Sequence, residues 1–401
     1  MATGSQSLFS AMKGSRADRA VVRRFCLFEL IYWIGNTTFY SFYVLFMTNK
    51  QLSNTEIGSV LSISALLLLV FLPVWGVVSD KLSSTKTVLH FLFIVSIIIM
   101  LCIPQLPGRL SVAIAMCVLA VFESGIVSLA DGYIMQTIHH MENISYGKIR
   151  LWGSVGSVLS LAFSSILLTR CGANVIFYVY GGVLLSLLFL LRTLPRGGGS
   201  EKREKTERTD LRLLFKNREY VLFVLFACII AIPFRFTQSF LVVLTGQVGG
   251  ENTLSYTLLA GSISEGVFYA LSFFLSKKFK ATQLIVISGA FFVLRQLLFL
   301  VCRNPIQIVL ANITLGPSFS LFTAASVRLV FDLAPQNLKS SAQAIANAAI
   351  FGVSGIISNF TGGLLIDLLG VVPVIQASFM LSMVTYILYI LFFFRLNGRT
   401  V

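Results

Sequence analysis

The run Ser145-Tyr-Gly-Lys-Ile-Arg-Leu-Trp-Gly-Ser-Val-Gly156 decides how the chain is read. It sets one cation, Arg150, at the mouth of a long apolar segment whose Gly153 and Gly156 let another helix approach closely. Just upstream, a second apolar segment carries Asp131 and, two helical turns deeper, Glu123. Charges this close to hydrocarbon cost roughly 2.5–3.5 kcal/mol each on insertion. They persist only where they face one another, a wet cavity or a ligand. The rest of the chain is therefore expected to build a cavity around them.

Composition agrees with that reading. The 401 residues are 56% hydrophobic and only 12% charged, whereas a soluble chain carries about twice that charged fraction. This is the composition of a multi-span membrane protein. Lys and Arg outnumber Asp and Glu by 31 to 16, an excess that in a soluble protein points to nucleic acid. Here no polar basic domain exists, and the cations cluster in alternate loops, the mark of the cytoplasmic side. The cysteines at 26, 102, 117, 171, 228 and 302 show no metal-type spacing and read as small packing residues.

Apolar segments long enough to cross a ~30 Å hydrocarbon core recur near 22–47, 55–78, 87–104, 110–136, 147–169 and 173–192, and again near 219–246, 253–275, 282–302, 305–330, 339–368 and 371–394. Arg23, Arg24, Lys81, Lys86, Lys148, Lys277, Lys278, Lys280, Arg328, Lys339 and Arg395 fall on one side of these spans. Only Lys50, Arg109, Arg170 and Arg303 fall on the other, which predicts cytoplasmic termini. Residues 1–21 read as a cytoplasmic arm without a signal-peptide pattern, and 397–401 as a short tail. The charged stretch 194–218 reads as a linker between two six-span bundles, 22–193 and 219–396. The halves also repeat. Ser79-Asp-Lys-Leu-Ser-Ser-Thr85 matches Ser276-Lys-Lys-Phe-Lys-Ala-Thr282, and Gly153 and Gly156 match Gly352 and Gly355 at nearly the same offset.

Twelve spans, a mid-chain linker and repeated halves resemble the major facilitator superfamily. Gly76-Val-Val-Ser-Asp-Lys-Leu-Ser-Ser-Thr-Lys86 resembles its loop between spans two and three, with Ser83 in place of the second glycine. Within the superfamily the chain resembles the lactose-, nucleoside- and phenylpropionate-permease branch. The carriers are the Tyr146–Gly156 run, Ile263-Ser-Glu-Gly266, Val293-Leu-Arg-Gln296, and Gln343 after Ala334-Pro335. The resemblance implies an all-α membrane protein, twelve transmembrane helices in two pseudo-symmetric six-helix bundles, in the plasma (bacterial inner) membrane. Those bundles would rock about a central substrate site, usually driven by protons. By position, it implies that Asp131 and Arg150 hold substrate, that Glu265 belongs to a sugar site, and that Arg295 is tied to proton release. Two departures limit the transfer. Ser157 stands where the lactose permease stacks an aromatic ring on its sugar, and Asn312, Leu315 and Ser318 stand at positions that titrate there.

Read on chemistry alone, Asp131 and Arg150 lie on consecutive antiparallel spans near one membrane face, so contact is feasible. Arginine's fork of donors suits a carboxylate, a hydroxylated sugar or an anion; the plain alternative is an ion pair that only locks two helices. Glu265 and Arg295 sit at similar depth and are expected either to couple protons or to clamp each other. Gly261, Ser262, Ser264 and Gly266 around Glu265 leave room for water or ligand. Arg235, after Pro233, is a substrate contact or a partner for Glu265, and Glu123 a second proton-carrying carboxylate. Glu29, early in span one, is either solvated near the cytoplasmic face or functional. Asn36 and Gln238 add neutral groups for substrate, as do Gln136, Asn312 and Asn347. Asp80 is expected to bind a helix N-terminus as part of a hinge, and Gly153, Gly156, Gly352 and Gly355 to line helix contacts.

His139-His140 in a basic loop does not make a metal site, the sequons at Asn143 and Asn312 are not expected to be glycosylated, and no enzyme motif is present. The expectation is a monomeric, cofactor-free secondary transporter of a sugar, nucleoside or aromatic acid. Its partners are the solute, the proton gradient and the bilayer, with no metal and no nucleic acid. The competing expectation is proton-driven export of amphipathic compounds.

Overall fold

In a bilayer every backbone N–H and C=O must find its partner within its own segment, so apolar runs close into helices. The computed structural model describes residues 16–82, 84–138, 141, 146–195, 212–250, 253–335 and 338–397. Among these, twelve long helical segments follow in order. In the first half of the chain they are α1 (Arg16–Asn49), α2 (Asn54–Lys81), α3 (Thr85–Cys102), α4 (Arg109–Ile138), α5 (Tyr146–Cys171) and α6 (Val175–Thr193). In the second half they are α7 (Arg218–Ser239), α8 (Leu254–Lys278), α9 (Ala281–Val301), α10 (Pro305–Leu333), α11 (339–369) and α12 (Val371–Asn397). Ten are long and apolar enough to cross a membrane; the other two are α1 and α5. Most of the N-terminal arm, most of the linker, His139-His140 and the Asn143 sequon lie outside the described residues.

Local chemistry fixes several helix ends. The Asn217 side chain accepts from the backbone N–H groups of Glu219 and Tyr220 and so caps α7. Asn304 caps α10 in the same way, with Pro305 in the first turn, where no N–H is needed. Gly370 ends α11 at φ +83, a conformation that disfavours any side chain, while its N–H still reaches the Ile366 carbonyl. Two helices are interrupted from within. A π-helical turn at Gly316–Ser320 contains Pro317, and another occupies Ala348–Val353 in α11.

The chain divides into two compact units, residues 1–46 with 67–204, and residues 47–66 with 205–401. In the first, Phe25, Phe28, Phe93, Phe177 and Tyr180 are fully enclosed, with Phe46 and Phe177 edge-on at 4.5 Å. In the second, Phe226 stacks on Tyr389 at 3.9 Å and Phe234 on Phe319 at 5.0 Å.

The first part of α2 is gripped by α11 within the second unit. Asp367 accepts hydrogen bonds from Asn54 N (3.2 Å), Asn54 Nδ2 (2.8 Å), Thr55 N (2.7 Å) and Thr55 Oγ1 (2.6 Å). A Cβ on Gly58 would collide with the Asn359 carbonyl and one on Gly363 with the Asn54 carbonyl, so the two helices meet backbone to backbone. The acid seated on a helix N-terminus is therefore Asp367; Asp80 is exposed, with no hydrogen bond or ion pair among the described residues. The glycine matches diverge as well. Gly156 packs against the Leu30 carbonyl, whereas a Cβ on Gly355 would meet nothing within 4 Å.

Candidate substrate site

Along α1, Glu29, Tyr32, Trp33 and Asn36 recur at i, i+3, i+4 and i+7, which puts all four on one face. Two polar clusters of the first unit are built on that face. In one, Arg150 of α5 approaches Glu29, with Nη1 3.7 Å from Oε2. Its guanidinium also lies 4.0 Å from the centroid of the Trp33 ring, and Trp33 Nε1 donates to the same Glu29 oxygen at 3.0 Å. Gly153 makes this possible, because a Cβ there would lie 2.6 Å from Trp33 Cδ1 and against Arg150 Nη1. One turn on, Thr37 Oγ1 donates to Ser157 Oγ at 2.9 Å, and Thr38 and Ser160 share a hydrogen bond at 2.7 Å. The α1–α5 seam is polar along three turns.

Asp131 is thus not the ion-pair partner of Arg150; Glu29 is. The reason lies in which helix the glycines of α5 admit. Gly153 and Gly156 bring α5 onto α1, and Glu29 is carried there to be 98% enclosed rather than solvated (2% exposed). Asp131 stays close enough to act electrostatically on Arg150 and on the Tyr146 hydroxyl. The result is a cation one-third exposed, flanked by two carboxylates and an indole.

The second cluster surrounds Glu123 on α4. Tyr180 donates to Glu123 Oε2 at 2.6 Å, Tyr180 and Tyr32 hydroxyls meet at 3.4 Å, and Asn36 Nδ2 donates to Tyr32 at 3.1 Å. Glu123 Oε1 and the Ser96 hydroxyl beside it are buried without a well-formed hydrogen bond. No cation lies within ion-pair distance of Glu123 among the described residues. A buried carboxylate held by one phenol, with a free oxygen and no counter-charge among the described residues, is chemically suited to take up and release a proton.

In the second unit, Arg295 is fully buried. Its Nη2 donates to Gln238 Oε1 at 2.9 Å and to Asn312 Oδ1 at 2.7 Å, and its guanidinium lies 4.8 Å from the Phe299 ring. Asn312 is held in place by its own Nδ2, which donates to the Thr257 carbonyl at 2.6 Å. Nε and Nη1 of Arg295 have no partner among the described residues. Arg295 does not clamp Glu265: two neutral amides hold it, because Gly261 leaves room for Asn312 to reach across from α10. The half-buried Glu265 carboxylate has no hydrogen bond or ion pair among the described residues. Part of the small-residue run around it serves packing, since Ser264 donates to the Ile313 carbonyl at 2.6 Å. Gly266 does face open space. Arg235 lies half-buried beside the Phe351 ring at 5.1 Å.

Tyr32, Trp33 and Tyr180 are the residues around these charges that reading the charges one at a time passes over, while Glu29 was left open between a solvated and a functional residue. For Tyr32 and Trp33 the signal was present in the polar i, i+3, i+4, i+7 spacing of α1, which places them on one face with Glu29 and Asn36; Tyr180 comes from α6 and had no such signal.

A many-helix membrane fold with carboxylates, arginines and amides gathered at depth is the architecture of a solute carrier. The chain belongs to the MFS_1-like family, whose model matches residues 24–377. It is a multi-pass integral membrane protein of a transporter family, not an enzyme, and its general activity is secondary transport. It is 25% identical over 363 residues to the maltose permease of Geobacillus stearothermophilus, covering 89% of this chain and 90% of that one. It is 29% identical over 151 residues to the lactose permease of Klebsiella oxytoca, 35% of each chain. The crystal structure of the nucleoside transporter NupG superposes with a TM-score of 0.83 at 17% identity, over 93% of this chain and 99% of that one, a likeness of fold.

Proposed function

We propose that the protein is a proton-coupled symporter of a small hydroxylated solute, foremost a sugar, with twelve spans and cytoplasmic termini, acting as a monomer by alternating access. The observation that carries this is the half-open constellation of Arg150, Glu29, Asp131 and Trp33, a set of donors, acceptors and an apolar ring suited to a polyol. The names of its relatives, permeases for maltose and lactose, lean the same way. In this reading Asp131, Arg150 and Asn36 bind solute in the first unit and Glu265, Gln238 and Arg235 in the second. Glu123, Glu265 and Arg295 carry the coupling.

The test is uptake into liposomes by purified protein, with and without an inward proton gradient, across disaccharides, nucleosides and aromatic acids. Gradient-driven accumulation of a sugar is the expected result. Accumulation of nucleosides or aromatic acids alone would reassign the substrate. Gradient-dependent extrusion of lipophilic dyes, with no uptake of any solute, would replace symport by export.

A further inference from the structure

We infer that Trp33 is the surface on which the solute's ring stacks, and that Arg150 covers that surface when no solute is bound. The inference rests on the symport reading above and adds to it the residue that selects for a ring. Three features of the first unit carry it. The indole is fixed in its plane, because Nε1 is tied to Glu29 at 3.0 Å and the Tyr32 ring meets it edge-on at 5.8 Å. One indole face is occupied by a side chain that is itself one-third exposed, the Arg150 guanidinium at 4.0 Å. The absence of a side chain at Gly153 lets α5 come close enough to lay Arg150 on the indole, since a Cβ there would lie 2.6 Å from Trp33 Cδ1.

A guanidinium over an indole at a partly exposed position is held only weakly, and its ion pair to Glu29 at 3.7 Å is longer than a hydrogen bond. Both contacts are weak enough for a ligand to replace. A pyranose offers what the exchange requires. Its C–H face covers the indole as the guanidinium did, while its ring hydroxyls accept from the displaced Arg150 and donate to Glu29 and Asp131. The cation and the carboxylates then keep their hydrogen bonds, and apolar C–H surface leaves water. A linear polyol supplies the hydroxyls without the flat face, so the arrangement favours rings over chains.

The test compares Trp33→Phe with Trp33→Leu in proteoliposome uptake of maltose. Stacking predicts that Phe keeps most of the wild-type KM, while Leu raises it roughly 10-fold, since a face-on ring contact is worth about a factor of ten. If Trp33 only holds Glu29 through Nε1, Phe fails as badly as Leu, and the inference is overturned. Equal KM for wild type and Trp33→Leu overturns it too, while leaving the transport reading intact. Uptake of no saccharide by the wild-type protein sinks both, and does so before any variant is made. A binding readout stands beside transport. With Trp75 and Trp152 changed to Phe, Trp33 is the one indole left of the three in the sequence. Maltose is then expected to shift its emission, and sorbitol at equal concentration is not. If the double variant does not fold, the KM comparison decides alone.

Discussion

Arg150 and Arg295 are both arginines carried on apolar helices, and the protein treats them differently. Arg150 is one-third exposed, with a carboxylate at 3.7 Å and an aromatic face beneath it. Arg295 is sealed, and its hydrogen-bond partners are the neutral oxygens of Gln238 and Asn312. A charge paired with another charge through a long contact, at the edge of water, can change partners. A charge solvated by fixed amides and cut off from water cannot do so without moving helices. The first arrangement suits binding, and the second suits a part whose environment must change as a whole.

The comparison is most exposed to failure at Asn312. Asn312→Leu leaves a buried cation with one amide, which is expected to cost about 3–5 kcal/mol, whereas Arg295→Met leaves only neutral amide oxygens unpaired and is expected to cost less, about 1–3 kcal/mol. Thermal melts in detergent read this directly. Equal loss in the two variants would mean that Arg295 is a structural keystone. At the other arginine, stability and activity should separate. Arg150→Lys keeps the charge but loses the planar fork, so uptake is expected to fall about 100-fold while stability changes by less than about 1 kcal/mol. Wild-type uptake by that variant would reduce the Glu29–Arg150 pair to a brace.

A third test sharpens the division of labour within the first unit. Glu123→Gln is expected to abolish gradient-driven accumulation while solute exchange without a gradient persists. Tyr180→Phe removes the phenol that donates to Glu123 and is expected to lower stability by about 1–3 kcal/mol. Accumulation by Glu123→Gln at the wild-type level would move the proton elsewhere. The smallest effect separates the matched glycines. Gly355→Ala has open space and is expected to stay within about 0.5 kcal/mol of wild type. Gly153→Ala would push on Trp33 and Arg150 and is expected to impair uptake measurably.

The helices were legible because hydrocarbon leaves the backbone no alternative, so apolar length alone marks them. That Arg150 and Glu123 would need polar partners was legible for the same reason, since charge at depth requires one. The identity of the partner was not. By position along its span Glu29 resembled a solvated residue, and only the approach of α5 to α1 through Gly153 and Gly156 shows that it is enclosed. Gln238 and Asn312 were visible as polar residues in spans, but their convergence on one guanidinium depends on the depth of three helices at once. Small residues were ambiguous by nature: Gly261 makes room for the Asn312 amide, and Gly266 faces open space.

The two π-helical turns have a consequence for how such a chain changes over generations. Each is a place where a helix holds one residue beyond what its hydrogen-bond ladder needs, at Gly316–Ser320 and at Ala348–Val353. Elsewhere in a packed helix a lost codon turns every later side chain by about 100° and scrambles the buried face. At these two turns the loss is absorbed locally, the ladder closes, and Ser326 or Ser358 keeps its orientation. Insertions and deletions among descendants of this sequence should therefore gather there as well as in the loops, and both turns fall in the half that holds Arg295.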